Sequence, residues 1–122
     1  MNRWVCIVDD DASVRKSLAN LLRSAGFETL SFATAAAFLG SDLAWQAGCV
    51  LLDLKMQGMG GLDVQRALAG QGRCLPVICM SAHWDDGAVH SAMSLGALAC
   101  LGKPFSEEVL LKAVEEALAG KA

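Results

Sequence analysis

Five short apolar runs, each followed by a stretch with helical spacing, limit this chain to very few folds. The runs fall at 4–8, 28–32, 49–53, 76–80 and 97–101. The first, third and fourth are continuously apolar, the pattern of strands covered on both faces. Between the runs, Val14, Leu18, Leu21, Leu22 and Ala25 recur at the intervals that line one face of a helix, as do Val109, Leu110, Ala113, Val114 and Leu118. Asp11 is expected to cap the first helix and Gly26 to end it, and Thr34 to cap a short second helix. Gly60-Gly61 opens a third, carrying Leu62, Val64, Leu68 and Ala69, and a fourth runs from about Asp86 to Leu95 and stops at Gly96. Ser106 caps the last, with Glu107 and Glu108 in its first turn, where a helix is electropositive.

Strand-then-helix units joined by right-handed crossovers predict an α/β domain with a five-stranded parallel sheet and helices on both faces. The economical strand order is 2-1-3-4-5, the flavodoxin-like doubly wound arrangement. No internal linker, repeat or low-complexity segment interrupts residues 1–122, so one domain is expected, with 119–122 either the start of a linker or simply a cut end. In such sheets ligands bind outside the carboxyl ends of the strands, at the point where the strand order reverses. The first run ends on Asp9-Asp10-Asp11 and the third on Asp53. The fold therefore brings Asp9, Asp10 and Asp53 together. Carboxylates so placed repel one another, and a divalent cation is the simplest remedy.

Composition narrows the function. The hydrophobic fraction is 54% and the charged fraction 19%, so a filled core is expected rather than disorder. A net charge of −3 argues against nucleic-acid binding through bulk electrostatics. No apolar run approaches the roughly 20 residues that span a bilayer, and the N-terminus lacks a secretory cleavage site, which predicts a cytoplasmic protein without membrane association. The five cysteines are odd in number and contain no CxxC, which suits buried small hydrophobes better than a zinc site.

Two more residues point to the same rim. Lys103, after the fifth run and before Pro104, is placed to balance the acids and to grip a phosphoryl oxygen; its bond to Pro104 is a candidate cis peptide. Ser81 directly follows the fourth run, where its hydroxyl can donate to a group held at Asp53, with small Ala82 leaving room. His90, Trp4 and Trp45 read as surface or packing residues.

The segments Ile7-Val8-Asp9-Asp10-Asp11, Leu52-Asp53-Leu54-Lys55-Met56, Met80-Ser81-Ala82 and Lys103-Pro104-Phe105 together resemble the receiver domain of two-component response regulators. The resemblance covers almost the whole chain and, with Val14-Arg15-Lys16-Ser17-Leu18, is most similar to the FixJ subgroup. It implies a phosphorylation switch rather than an enzyme. Asp53 would accept a phosphoryl group from the phosphohistidine of a histidine kinase or phosphotransfer protein. Asp10, Asp53 and the backbone carbonyl of Lys55 would ligate Mg²⁺, with Mn²⁺ a possible substitute and Asp9 acting through water. Lys103 would stabilise the transferring group, and Ser81 would turn toward it. The fourth helix, fifth strand and fifth helix would form the output face, with homodimerisation there on activation. Regulators of this subgroup usually carry a C-terminal helix-turn-helix domain that binds DNA; none lies in these 122 residues.

The chain departs from the family pattern in two places, and two further residues occupy positions that matter in the family. Gln57-Gly58 stands where a proline is usual. Cys100 occupies the position of the switch aromatic, with Trp84 the candidate replacement. His83 and Lys55 lie where residues that tune phosphoryl lifetime are found. Other readings remain. Asp9-Asp10-Asp11 contains an Asp-x-Asp similar to the start of haloacid-dehalogenase-type phosphatases, with Asp9 as nucleophile. An FMN-binding flavodoxin would need a glycine- and hydroxyl-rich first loop in place of the acids. A receiver fold that binds partners without a phosphorylation switch is the third.

Overall fold

The structure, a computed structural model, describes residues 4–56, 58–72, 75–81 and 86–119, with Trp45 and Asp86 described in the backbone alone. The order is β1 (Trp4–Val8), α1 (Ala12–Ser24), β2 (Glu28–Phe32), α2 (Ala35–Leu39), a 3₁₀ turn (Leu43–Gln46), β3 (Cys49–Asp53), α3 (Gly61–Gly70), β4 (Val77–Ser81), α4 (Asp86–Ser94), β5 (Ala99–Gly102) and α5 (Glu107–Leu118). The sheet is parallel with order β2-β1-β3-β4-β5, as expected.

The central strands β1, β3 and β4 bury both faces because alternate side chains meet different helices. Val5, Ile7, Leu51, Ile78, Met80 and Leu101 pack against Leu18, Leu22, Leu110 and Val114 of α1 and α5. Cys6, Val8, Val50, Leu52 and Cys79 face Phe38, Val64, Leu68 and Ala92 of α2, α3 and α4. All five residues of β3 and of β4 are buried, which accounts for the apolar sequence that each carries up to its last residue, Asp53 or Ser81. β2 is an edge strand and shows exposed and half-buried positions instead.

The helix caps follow the sequence. The Asp11 carboxylate accepts from Ser13 N and Val14 N, the Thr34 hydroxyl from Ala37 N, and the Ser106 hydroxyl from Val109 N. Gly26 and Gly96 take positive φ just beyond α1 and α4, where residues with a Cβ are strained. The Lys103–Pro104 peptide is cis.

Two strand boundaries and one turn differ from expectation. β4 begins and ends one residue later, so Ser81 is the last residue of the strand and not the first after it. β5 runs from Ala99 to Gly102 rather than 97–101; Leu98 N still bonds Val77 O, so the ladder starts before the strand proper. The 3₁₀ turn was not anticipated, because Leu43-Ala44-Trp45-Gln46 has no period to read.

Candidate functional site

At the carboxyl rim of the sheet, adjacent strands place the acids. Asp9 immediately follows β1 and is held in register by donating its N–H to Phe32 O at 3.2 Å. The chain then turns. Asp9 Oδ1 accepts from Asp11 N at 2.9 Å, and Asp11 Oδ1 accepts from Ser13 N at 2.8 Å. Arg15, one turn into α1, donates from Nη1 to the carbonyl oxygen of Asp9 at 2.7 Å. The three consecutive acids therefore play different parts: Asp9 is buried, Asp10 faces solvent and Asp11 caps a helix. Asp53, the last residue of β3, accepts from Lys55 N on Oδ1 at 3.1 Å. One carboxylate oxygen from each of Asp9, Asp10 and Asp53 lies within 4.8 Å of the others.

Close packing of α3 fixes the end of β3. A Cβ at Gly61 would lie 2.7 Å from Asp53 O and 2.9 Å from Leu54 Cα, so only glycine lets the start of α3 approach this closely. Leu54 O in turn accepts from Gly61 N at 3.2 Å.

Lys103 arrives from the far side of the sheet. Its Nζ donates to Asp9 Oδ2 at 2.9 Å and stands 3.6 Å from Asp53 Oδ2. Lys103's side chain is 21% exposed, against 1% for Asp9 and 8% for Asp53, so the cation bridges two nearly dry carboxylates. Burial pulls the Lys103 pKa down, but the hydrogen bond to Asp9 and the charge of Asp53 outweigh it, and the net displacement is upward. Asp53 moves from 3.8 to about 6. Burial is the main cause, with Asp9 and Asp10 adding to it; the Lys55 amide and Lys103 pull the other way. An anionic Asp53 is thus held at a free-energy cost, which a cation or a covalent change at this carboxylate would relieve. The cluster offers oxygen donors alone, the set that suits a hard divalent cation.

Ser81 is buried, and its carbonyl accepts from Lys103 N at 2.6 Å, tying the ends of β4 and β5 together. Lys55 is exposed. Cys100 is half-buried on β5, opposite Cys79 of β4. Burial pushes the thiols of Cys6, Cys49 and Cys79 up to about 12, the behaviour of packing residues rather than reactive ones. His83 and Trp84, read as tuning and replacement-switch residues, and Gln57 lie outside the described residues.

Two residues escaped the sequence reading. Arg15 was visible only as part of a motif, with no signal that it reached back to Asp9. Gln65 is buried on α3 and donates from Nε2 to Ala92 O of α4 at 3.0 Å, while its Oε1 faces Cys79 Sγ at 3.8 Å. A glutamine on a helix carries no signature of burial.

The sequence profile of the response regulator receiver domain matches residues 5–115. The chain is a response regulator receiver domain. It is 43% identical over 114 residues to the response regulator protein TmoT of Ectopseudomonas mendocina, covering 93% of this chain and 52% of that protein. With the transcriptional regulatory protein TdiR of Thauera aromatica the identity is 44% over 115 residues, covering 94% and 51%. Among solved structures, FixJ-N superposes with a TM-score of 0.91 at 32% identity, covering 100% of this receiver and 98% of that chain. The response regulator StyR superposes at 0.90 and 43% identity, covering 98% and 60%. The receiver spans about half the length of the curated relatives it matches. These relatives are named as regulators, and receivers of response regulators interact with histidine kinases. The phosphatase and FMN-binding readings find no support in these matches. Among the described residues, no helix is long and apolar enough to cross a membrane.

Proposed function

We propose that this receiver, as one unit over residues 1–122, takes a phosphoryl group onto Asp53 from the phosphohistidine of a histidine kinase or phosphotransfer protein. The observation that carries the reading is the Lys103 ammonium set between the buried Asp9 and Asp53 carboxylates at the ends of neighbouring strands. A carboxylate oxygen of Asp53 attacks phosphorus, the phosphorus–nitrogen bond breaks, and the imidazole leaves with its electron pair and takes up a proton. Lys55 N fixes Oδ1 of Asp53 by hydrogen bond, which leaves Oδ2 for the attack. Lys103 contributes a point charge against the phosphoryl oxygens, so positioning and electrostatics lower the barrier. Asp10, Asp53 and the Lys55 carbonyl would hold Mg²⁺ or Mn²⁺ directly and Asp9 through water. The bound cation would neutralise charge on the carboxylates and on the phosphoryl group. Ser81, at the end of β4, is the group that answers phosphorylation, and α4, β5 and α5 form the face that changes. Cys100 on β5 is half-buried and has no ring, so the response at that position is not an aromatic flip. Activation would pair two copies through that face, any DNA binding would fall to a C-terminal output domain outside these residues, and the setting is cytoplasmic.

Intact mass after incubation with Mg²⁺ and acetyl phosphate tests this. One added phosphoryl group is expected, absent in Asp53→Ala and absent when EDTA is added first. An adduct that survives Asp53→Ala would overturn the assignment, and so would none in a protein that binds Mg²⁺ and meets a phosphorylated kinase.

A further inference from the structure

Two cations serve the acidic rim in different ways. Lys103 engages the carboxylates themselves, at Oδ2 of Asp9 and of Asp53. Among the described residues, the Arg15 side chain bonds the backbone at Asp9, and that bond takes no carboxylate oxygen away. We infer that Arg15 is a positioning residue for the divalent-cation site: its hold on the Asp9 carbonyl sets the β1–α1 turn so that Asp9 and Asp10 present their carboxylates to Asp53 before any metal arrives. The inference rests on the proposed metal site.

Three features support it. The contact is a charge-assisted hydrogen bond of 2.7 Å to a neutral carbonyl, a strong and directional kind. It closes a six-residue span from the end of β1 to the first turns of α1. It also acts with two other bonds on the same turn, Asp9 N to Phe32 O on one side and Asp11 N to Asp9 Oδ1 on the other. The peptide joining Asp9 to Asp10 is therefore fixed at its oxygen by a side chain whose own helix is anchored by the Asp11 cap. Without Arg15, Asp9 O would bond water, the peptide plane could rotate, and the exposed Asp10 carboxylate would swing away from its repelling neighbours. Binding a metal would then have to restore the turn as well as neutralise the charge.

The test is Mg²⁺ titration by calorimetry on the full chain, with amide hydrogen exchange on the metal-free protein. Arg15→Met is expected to weaken Mg²⁺ roughly tenfold, the lower end of losses seen when a group supporting a metal ligand is removed. It should also speed exchange at Asp11 N–H while leaving the β3–β4 ladder unchanged. Lys16→Met, the next residue on the same helix and exposed, removes the same charge without touching the turn; it is expected to change Mg²⁺ affinity less than twofold. Arg15→Lys keeps the cation with a single-point donor and should fall between. Equal affinities for Arg15→Met, Lys16→Met and wild type would overturn the inference, as would equal losses in the first two, which would make the effect one of net charge. If Arg15→Met fails to fold, Arg15→Lys decides, wild-type affinity there counting against a positioning role. Wild-type protein that binds no Mg²⁺ would overturn the metal site itself, and this inference with it.

Discussion

Replacing Asp53 with Asn should stabilise the metal-free domain, and by an amount that depends on pH. Asp53 is nearly dry, sits beside Asp9 and Asp10, and its pKa rises from 3.8 to about 6. At about 1.4 kcal/mol per pH unit, the ionised carboxylate costs the fold about 3 kcal/mol above neutral pH. Asn keeps an oxygen for the Lys55 amide but sets its own amide near the Lys103 ammonium, which takes back part of the gain. The expected net gain is about 2 kcal/mol at pH 7.5, a Tm rise of roughly 6–10 °C for a domain of this size. The sign follows from proton counting. A carboxyl whose folded pKa lies above its unfolded one binds more protons folded than unfolded between the two values, so wild-type stability falls as pH rises from about 4 to about 6. Below that window Asp53 is neutral in both states and the advantage of Asn disappears. Urea unfolding of both proteins in EDTA at pH 4 and pH 7.5 measures this. Equal stabilities at pH 7.5, or the same gain at both pH values, would refute the electrostatic reasoning. Saturating Mg²⁺ should narrow the gap, because a ligand that binds the folded state stabilises wild type more than a variant short of one donor.

Lys103→Met should lower stability by about 3 kcal/mol or more, since breaking a buried pair strands the remaining charge; urea midpoints report it, and a loss under 1 kcal/mol would show that Asp9 finds another partner. Gly61→Ala drives a Cβ to 2.7 Å from Asp53 O, so β3 or α3 must shift; a stability loss of about 1–3 kcal/mol is expected, together with weaker Mg²⁺ binding, and wild-type values for both would contradict the close approach. Cys6, Cys49 and Cys79 are fully buried with thiols near 12, so maleimide at pH 7.5 should label them only after denaturation; peptide mapping that finds rapid native labelling would refute their packing role.

The fold was legible because its determinants are local. β1, β3 and β4 are continuous apolar runs since both their faces are covered, and the caps at Asp11, Thr34 and Ser106 act within a few residues. Asp9, Asp10 and Asp53 could be placed together because strand order alone makes β1 and β3 neighbours. What the sequence could not supply were bonds across distance. Lys103 reaches Asp9 over a separation of 94 residues, and whether it would favour Asp9 or Asp53 depends on side-chain reach that no pattern encodes. Arg15 and Gln65 were missed for the same reason: each turns from an ordinary helix position onto a backbone carbonyl of another segment. The ends of β4 and β5 slipped by one or two residues because the ladder, not the apolar run, decides where a strand stops.

Gln65 has a mechanical consequence. Ala92 O takes two hydrogen bonds, from Ala97 N at the turn that ends α4 and from the Gln65 side chain on α3. One end of α4 is thus bolted to a neighbouring helix, while its other end leads into residues 82–85 and the carboxyl rim. Such a helix behaves as a lever with a fixed fulcrum. Over its 9 residues, at about 1.5 Å each, a tilt of roughly 10° about the Gln65 end would carry the far end about 2 Å. Any tilt of α4 would therefore be graded along its surface, smallest beside Gly96 and largest at the Asp86 end.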